Sequence, residues 1–309
     1  MLHHHIADLA ALPGPVALAI GVFDGIHRGH QEVIREALDH AHQHGGSGVV
    51  MTFDPHPLTV LRPEKAPKLL CTTEQKVGVL EAMGIEHVLV CRFDQTLSET
   101  DADEFIHALV NSCAPLGFIS VGYEWVFGKA RAGNIHRLME LGRSHDFAVC
   151  GVPSVKVEGR VVSSTLIREA VRKGDLATAK VLLGRDYALQ GPVVRGRQLG
   201  RQLNFPTANI SLQNVELPPD GVYAVRALLR GEVFRGVANL GLRPTVDGAG
   251  LARTFEVHLL EGPREEFYGE SMDVRLMHYL RAEQKFPGLE ALKEQIQKDA
   301  AAADALLSA

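Results

Sequence analysis

Two histidines stand three residues apart across a glycine in GVFDGIHRGHQEVIREAL, residues 21–38 of this 309-residue chain. An apolar run precedes them and a helical pattern follows, so His27 and His30 fall at a strand-to-helix corner. The first backbone N–H groups of a helix lack intrahelical partners, and phosphate is drawn to such a corner. Imidazoles there can donate hydrogen bonds to oxygens on which charge builds during phosphoryl or nucleotidyl displacement. Gly25 and Gly29 remove side chains that would block close approach.

A second group lies in VSSTLIREAV, residues 162–171, where Ser163, Ser164 and Thr165 precede a helical stretch and Arg168 follows about one turn in. Hydroxyls before a helix commonly cap it. No Glu or Gln stands three residues after any of them, so no capping box is completed, and Arg168 adds a cation able to clamp a phosphate oxygen. GYEWVFGKA, from Gly122, superficially suggests a phosphate loop. Five residues separate its glycines and Ala130 follows Lys129 where a hydroxyl should hold Mg²⁺, which excludes that reading. Further on, PTAN (residues 206–209) taken alone is a Pro-led turn with an Asx bond. In RTFEVHLLE, strand alternation puts Thr254, Glu256 and His258 on the face opposite Phe255, Val257 and Leu259.

These residues need a scaffold. From residue 16 to 152 short β-rich runs (VALAIGVF, VVMTF, HVLVCRF, FISVG, FAVCGV) alternate with helical ones at 30–44, 73–84 and 134–145. That punctuation predicts an open, mostly parallel sheet covered by helices, with ligands at the carboxyl ends of its strands. In the first helix Val33, Ile34, Ala37, Leu38 and Ala41 share a face, and Gly45, Gly46 and Gly48 stop it. Two short helices follow Arg168. Beyond Asp186 short, partly alternating runs separated by Gly, Pro and Asp describe an antiparallel barrel or sandwich, closed by a helix at 289–307.

At 46% hydrophobic and net charge −5, the chain has no global basic field for nucleic acid or an anionic membrane, which favours small ligands. Cys71, Cys91, Cys113 and Cys150 are widely spaced and form no CxxC pair, so neither a disulfide framework nor a zinc knuckle is expected. The N-terminus lacks a basic leader, and the apolar stretch Pro15–Phe23 is too short to span a bilayer; a cytoplasmic protein is expected. The tract His3, His4, His5 is expected to be solvated.

The strand-GxFDGxHxGH-helix string resembles the HxGH signature of the nucleotidyltransferase superfamily. SSTLIR resembles the SSTxIR motif of its bacterial flavin adenylyltransferases, in place of the lysine-rich KMSKS loop of the class I aminoacyl-tRNA synthetases. GRQLGRQLNFPTANI, residues 196–210, resembles the PTAN motif of riboflavin kinases, and the likeness continues through GVYAV, NLGLRPT and FEVHLLE to the C-terminal helix. Over nearly its whole length the chain thus resembles the bifunctional riboflavin kinase/FAD synthetase family of bacteria. The resemblance implies an α/β fold in two domains: a Rossmann-like nucleotidyltransferase with a parallel sheet at 1–185, and an antiparallel kinase barrel with a terminal helix at 186–309. It implies Mg²⁺, with ATP, riboflavin, FMN and FAD as substrates and products, and no particular oligomeric state.

By the same resemblance, His27, His30 and Arg168 are catalytic in the first domain, and Gly21, Phe23, Asp24, Gly25, Gly29, Ser164 and Thr165 bind nucleotide. Asp54 and His56 in TFDPHP, with Glu124, border the flavin; His56 alone reads equally as a turn histidine. In the kinase, Gly196 and Gly200 approach the nucleotide, Thr207 and Asn209 hold the metal, and Glu256 is the catalytic base. Arg281 is either a flavin-side residue or a surface charge. Two stretches depart from pattern. Glu124, Trp125 and Val126 replace residues usual in a VGxDFRFG segment, and Asn204 stands where Gly is common. The first departure keeps one rival open, a kinase with a disabled adenylyltransferase; a rival of another class is a flavin-binding protein without turnover, and the intact His27/His30 pair and SSTLIR argue against both.

Overall fold

Parallel pairing with both faces covered explains why VALAI is apolar at every position: β2 (Val16–Ile20) is buried throughout in the computed structural model, which describes residues 1–113, 115–196, 205–244, 251–263 and 265–308. Before it comes β1 (Leu2–His3); after it come α1 (Arg28–Gln43), β3 (Ser47–Asp54), α2 (Pro57–Leu61), α3 (Thr73–Ala82) and β4 (His87–Arg92). Then follow α4 (Gln95–Glu99), α5 (Ala102–Ser112), β5 (Leu116–Gly122), α6 (Ile135–His145) and β6 (Ala148–Val152). The strands form one parallel six-stranded sheet in the order β1-β4-β3-β2-β5-β6. One face buries Leu18, Ile20, Met51 and Ile119, and the other buries Ala17, Ala19, Val50 and Phe118 beneath α1. The chain builds outward from β2 through β3 to β4 and then returns to β5 on its other side. The loop leaving β2, which carries GVFDGIH, therefore opens at the point where strand order reverses, where such sheets take ligands.

Helix α1 buries Val33, Ile34, Ala37 and Ala41, with Leu38 half-buried. It stops because Gly45 takes a left-handed φ of +63° and the Gly46 amide bonds back to the Ala41 carbonyl at 2.8 Å. None of the four cysteines is in a disulfide; burial pushes the Cys91 and Cys113 thiols up to about 12, as inert core thiols require.

The expectation of a solvated histidine tract is corrected at one position. His4 and His5 are exposed, but His3 is buried, because Leu2 and His3 pair in parallel with Val88 and Leu89 and cover the sheet edge. Its Nε2 lies 3.3 Å from His87 Nδ1. Desolvation first, then His3 and the N-terminal ammonium, hold the His87 ring below the ordinary histidine value, opposed by Glu86. The folded state therefore prefers neutral His87. This contribution is complete above the unfolded pKa of about 6.5 and is lost as pH falls through it toward the lower folded value. Hydrogen exchange at the Val88 amide, which bonds the Met1 carbonyl, should accelerate on acidification beyond the intrinsic pH effect. A pH-independent protection factor would contradict this.

Packing divides the chain into two compact units, Met1–Lys68 with Thr73–Ser164, and Leu69–Thr72 with Thr165–Ala309. A short hairpin, β7 (Lys156–Val157) with β8 (Arg160–Val161), leads to α7 (Ser164–Lys173) and α8 (Leu176–Leu183). In the second unit, β9 (Ala188–Val194), β10 (Ala208–Ile210), β11 (Gly221–Leu229), β12 (Glu232–Pro244), β13 (Leu251–Leu259) and β14 (Ser271–Arg281) close into an antiparallel barrel, β10-β13-β12-β11-β14-β9. Closure removes sheet edges and settles barrel over sandwich. The terminal helix α9 (Leu289–Ser308) packs Ala303 and Leu307 on Ala224, so β11 is covered on both sides and reads as a nearly continuous apolar run. Segment Leu69–Thr72 joins this unit by backbone bonds of Leu69 to Asn214 and Glu216, and the Glu216 carboxylate, buried, is gripped by Arg172 at 2.8 Å.

Candidate active sites

The first site is built on the loop between β2 and α1. Phe23, Gly25 and Ile26 take left-handed φ values of 48°, 81° and 39°, folding the chain back so that His27 becomes the N-cap of α1. Its Nδ1 accepts from the His30 amide at 3.2 Å. That bond fixes chemistry as well as structure: a ring nitrogen that accepts from an N–H carries no proton, so the proton of neutral His27 is on Nε2. The His30 ring stacks on His27 with centroids 3.5 Å apart and 17° between planes, and meets Phe23 edge-on at 5.3 Å. A Cβ at Gly29 would stand 3.2 Å from the His27 ring, so glycine lets the ring lie against the first turn.

Ser164, 140 residues downstream of Asp24, donates from Oγ to the Asp24 carbonyl at 3.0 Å. The second motif thereby reaches the turn of the first. Thr165 and Arg168 lie further along α7, with Arg168 buried, and belong by packing to the second unit. Gly21 follows β2 and donates to the Met51 carbonyl, while Phe23, Asp24, Gly25, Ile26 and His27 are all buried. Asp54 is exposed at the end of β3, and His56 caps α2 by accepting from the Leu58 amide at 3.1 Å. Glu124 is exposed in a turn closed by the Trp125 amide on the Gly122 carbonyl, and Trp125 stacks on Phe127 at 4.5 Å. Lys129 pairs with Glu99 at 2.9 Å, which raises its pKa.

The second site lies on the outside of the barrel. Register sets Asn209 of β10 opposite Glu256 of β13, and Glu256 in turn opposite Asn239 of β12, so three polar side chains share one level across adjacent strands. Phe255 and Val257 are buried while Thr254, Glu256 and His258 are half-buried, as alternation demands. A Cβ at Gly196 would lie 2.2 Å from Asn209 Nδ2, so glycine there lets the backbone lie directly against the amide. Thr207 is half-buried one residue before β10. Gly200 and Asn204 lie outside the described residues. Arg281 is no loose surface charge: its Nε and Nη2 grip the buried Asp299 of α9 at 2.9 and 2.6 Å, tying β14 to the terminal helix.

Four neighbours carry no role in the sequence reading. Asn239 Nδ2 donates to Glu283 at 3.0 Å, and His258 Nδ1 lies 2.9 Å from the Pro206 carbonyl, with Phe205 edge-on at 5.3 Å. A carbonyl only accepts, so His258 donates from Nδ1 and clasps the PTAN turn to β13. The outward alternation of His258 with Glu256 was the available signal. His258→Ala should raise the KM for ATP of any reaction at this site about tenfold, the worth of one hydrogen bond, with little change in melting temperature. Unchanged kinetics would remove His258 from the site's architecture.

Comparison with known proteins follows the same division. The FAD synthetase family model matches residues 10–166 and the riboflavin kinase model residues 183–307. A bifunctional riboflavin kinase/FMN adenylyltransferase of Haemophilus influenzae is 39% identical over 293 residues, covering 94% of each chain. Its Bacillus subtilis counterpart is 35% identical over 300 residues, covering 96% of this chain and 93% of its own. A solved Streptococcus pneumoniae structure, described as a macrolide-efflux protein, superimposes with TM-score 0.82 at 29% identity over 98% of each chain. Among the described residues here, no helix is long and apolar enough to cross a membrane. With both family models in sequence order and such identity along nearly the full length, this chain belongs to the bifunctional riboflavin kinase/FMN adenylyltransferase family.

Proposed function

We propose that the chain makes FAD from riboflavin in two ATP-dependent steps, divided at the boundary expected from the sequence, 185/186. In the barrel, Glu256 takes the proton of the ribityl 5′-hydroxyl as that oxygen attacks the γ-phosphorus of ATP, giving FMN and ADP. In the first domain, an FMN phosphate oxygen attacks the α-phosphorus of a second ATP; the bond to the β-phosphate oxygen breaks and pyrophosphate leaves. His27 and His30 donate to oxygens gaining charge, Ser164, Thr165 and the Gly21–Gly29 backbone seat the nucleotide, and Arg168 clamps phosphate. Thr207, Asn209 and Glu256 supply only hard oxygen donors, which suits Mg²⁺; Thr207 and Asn209 would hold it, and when bound it neutralises phosphate charge. Asp54, His56 and Glu124 border the flavin in the adenylyltransferase, and Arg281 supports the flavin side of the kinase by holding the β14–α9 junction. We place this enzyme in the cytoplasm, with small-molecule substrates and no nucleic-acid partner, in keeping with a sequence that carries no global basic field.

The observation that carries this reading is the Ser164–Asp24 bond, which joins two sequence-distant motifs at one helix N-terminus. Incubation with riboflavin, ATP and Mg²⁺, followed by chromatography of the flavins, tests it. FMN and then FAD are expected. FMN alone would favour a disabled adenylyltransferase, and unchanged riboflavin a binding protein.

A further inference from the structure

Lys76, on α3, belongs to neither motif of the first domain, yet it is buried with its ammonium between the exits of β2 and β3. Its Nζ donates to the Val22 carbonyl at 2.7 Å and to Thr52 Oγ1 at 3.0 Å, while Thr52 Oγ1 donates to the same Val22 carbonyl at 2.9 Å. The three polar groups form a closed triangle. Val22 immediately precedes the left-handed turn that presents His27 and His30, and fully buried Thr52 stands two residues before Asp54 at the exit of β3. Register pairing of β2 with β3 ends at Ile20 and Met51, and the Gly21 amide makes the last backbone bond between them. Beyond that point the triangle takes over the work of the ladder.

Desolvating an ammonium is costly, and an apolar side chain of Lys76's length would fill the same space without that cost. The geometry points to Lys76 as a positioning residue for adenylyl transfer: it locks the β2 exit to the β3 exit and so sets the height of the His27–His30 turn above the sheet. This rests on the adenylyltransferase reading. Displacing such a turn by a fraction of an ångström misaligns every backbone and ring donor aimed at the nucleotide.

Full-length Lys76→Met and Thr52→Val proteins test this, with ATP varied in FAD formation from FMN and with FMN formation from riboflavin measured on the same preparations. Losing hydrogen bonds from a charged donor predicts a KM for ATP raised about tenfold to a hundredfold in Lys76→Met. Thr52→Val should give a smaller rise, and FMN formation should be unchanged in both. A purely structural role would lower the active fraction, and hence apparent kcat, while leaving KM alone, so an unchanged KM overturns the proposal. If Lys76→Met does not fold, the KM of Thr52→Val decides alone. Wild-type protein that forms FMN but no FAD overturns the adenylyltransferase reading and this proposal with it.

Discussion

Replacing His30 by alanine should cut FAD formation from FMN by about a hundredfold to a thousandfold, the worth of a donor aimed at developing charge. FMN formation from riboflavin should stay within about twofold, since independent sites do not couple. The substitution is clean because of how the corner is built. The His30 amide, which bonds His27 Nδ1, survives in alanine, so the cap of α1 and the turn before it persist while the ring that stacks on His27 disappears. His27→Ala is the less clean variant: it also removes the N-cap acceptor and should lower stability by about 1 kcal/mol. Comparing the melting temperatures of the two variants separates chemistry from capping. Equal loss of both activities in His30→Ala would mean that the imidazole pair serves something other than nucleotidyl transfer.

Glu256→Gln should produce the mirror image. Glutamine keeps the shape of the side chain and its place opposite Asn209 and Asn239, but cannot take up a proton. Riboflavin phosphorylation should fall about a hundredfold to ten-thousandfold, the span of general-base contributions, while FMN supplied directly is still converted to FAD. Because the residue is half-buried on the outward face, beside Phe255 and Val257 that carry the core, its replacement leaves barrel packing intact. Wild-type rates of FMN formation in this variant would move the base elsewhere.

Much of this is legible in the sequence alone, for physical reasons. The parallel sheet was readable because strands buried on both faces, such as Val16–Ile20, are unbroken apolar runs, and the barrel because Gly and Pro punctuate its short strands. The His27–Gly–His30 corner was readable because it is local: cap, turn and donors fall within one helical turn. Contacts between distant segments were not. Nothing in Leu2–His3 announces a strand, since two residues carry no periodicity and only the waiting edge of β4 makes them one. Lys76 looks like an ordinary helix lysine, and its burial depends on Val22 and Thr52, 54 and 24 residues away. The place of Arg281 is set by Asp299 of the terminal helix, a partner 18 residues away that local sequence does not reveal.

The division of labour between the imidazole corner and the carboxylate on the barrel can be measured in one experiment. His30→Ala and Glu256→Gln proteins are each given riboflavin, ATP and Mg²⁺ separately, then together, and the flavins are separated. The account predicts FMN alone from the first, unchanged riboflavin from the second, and FAD from the mixture, as FMN released by one variant is adenylylated by the other. FAD from either variant alone at the wild-type rate, or a mixture that stops at FMN, would contradict it.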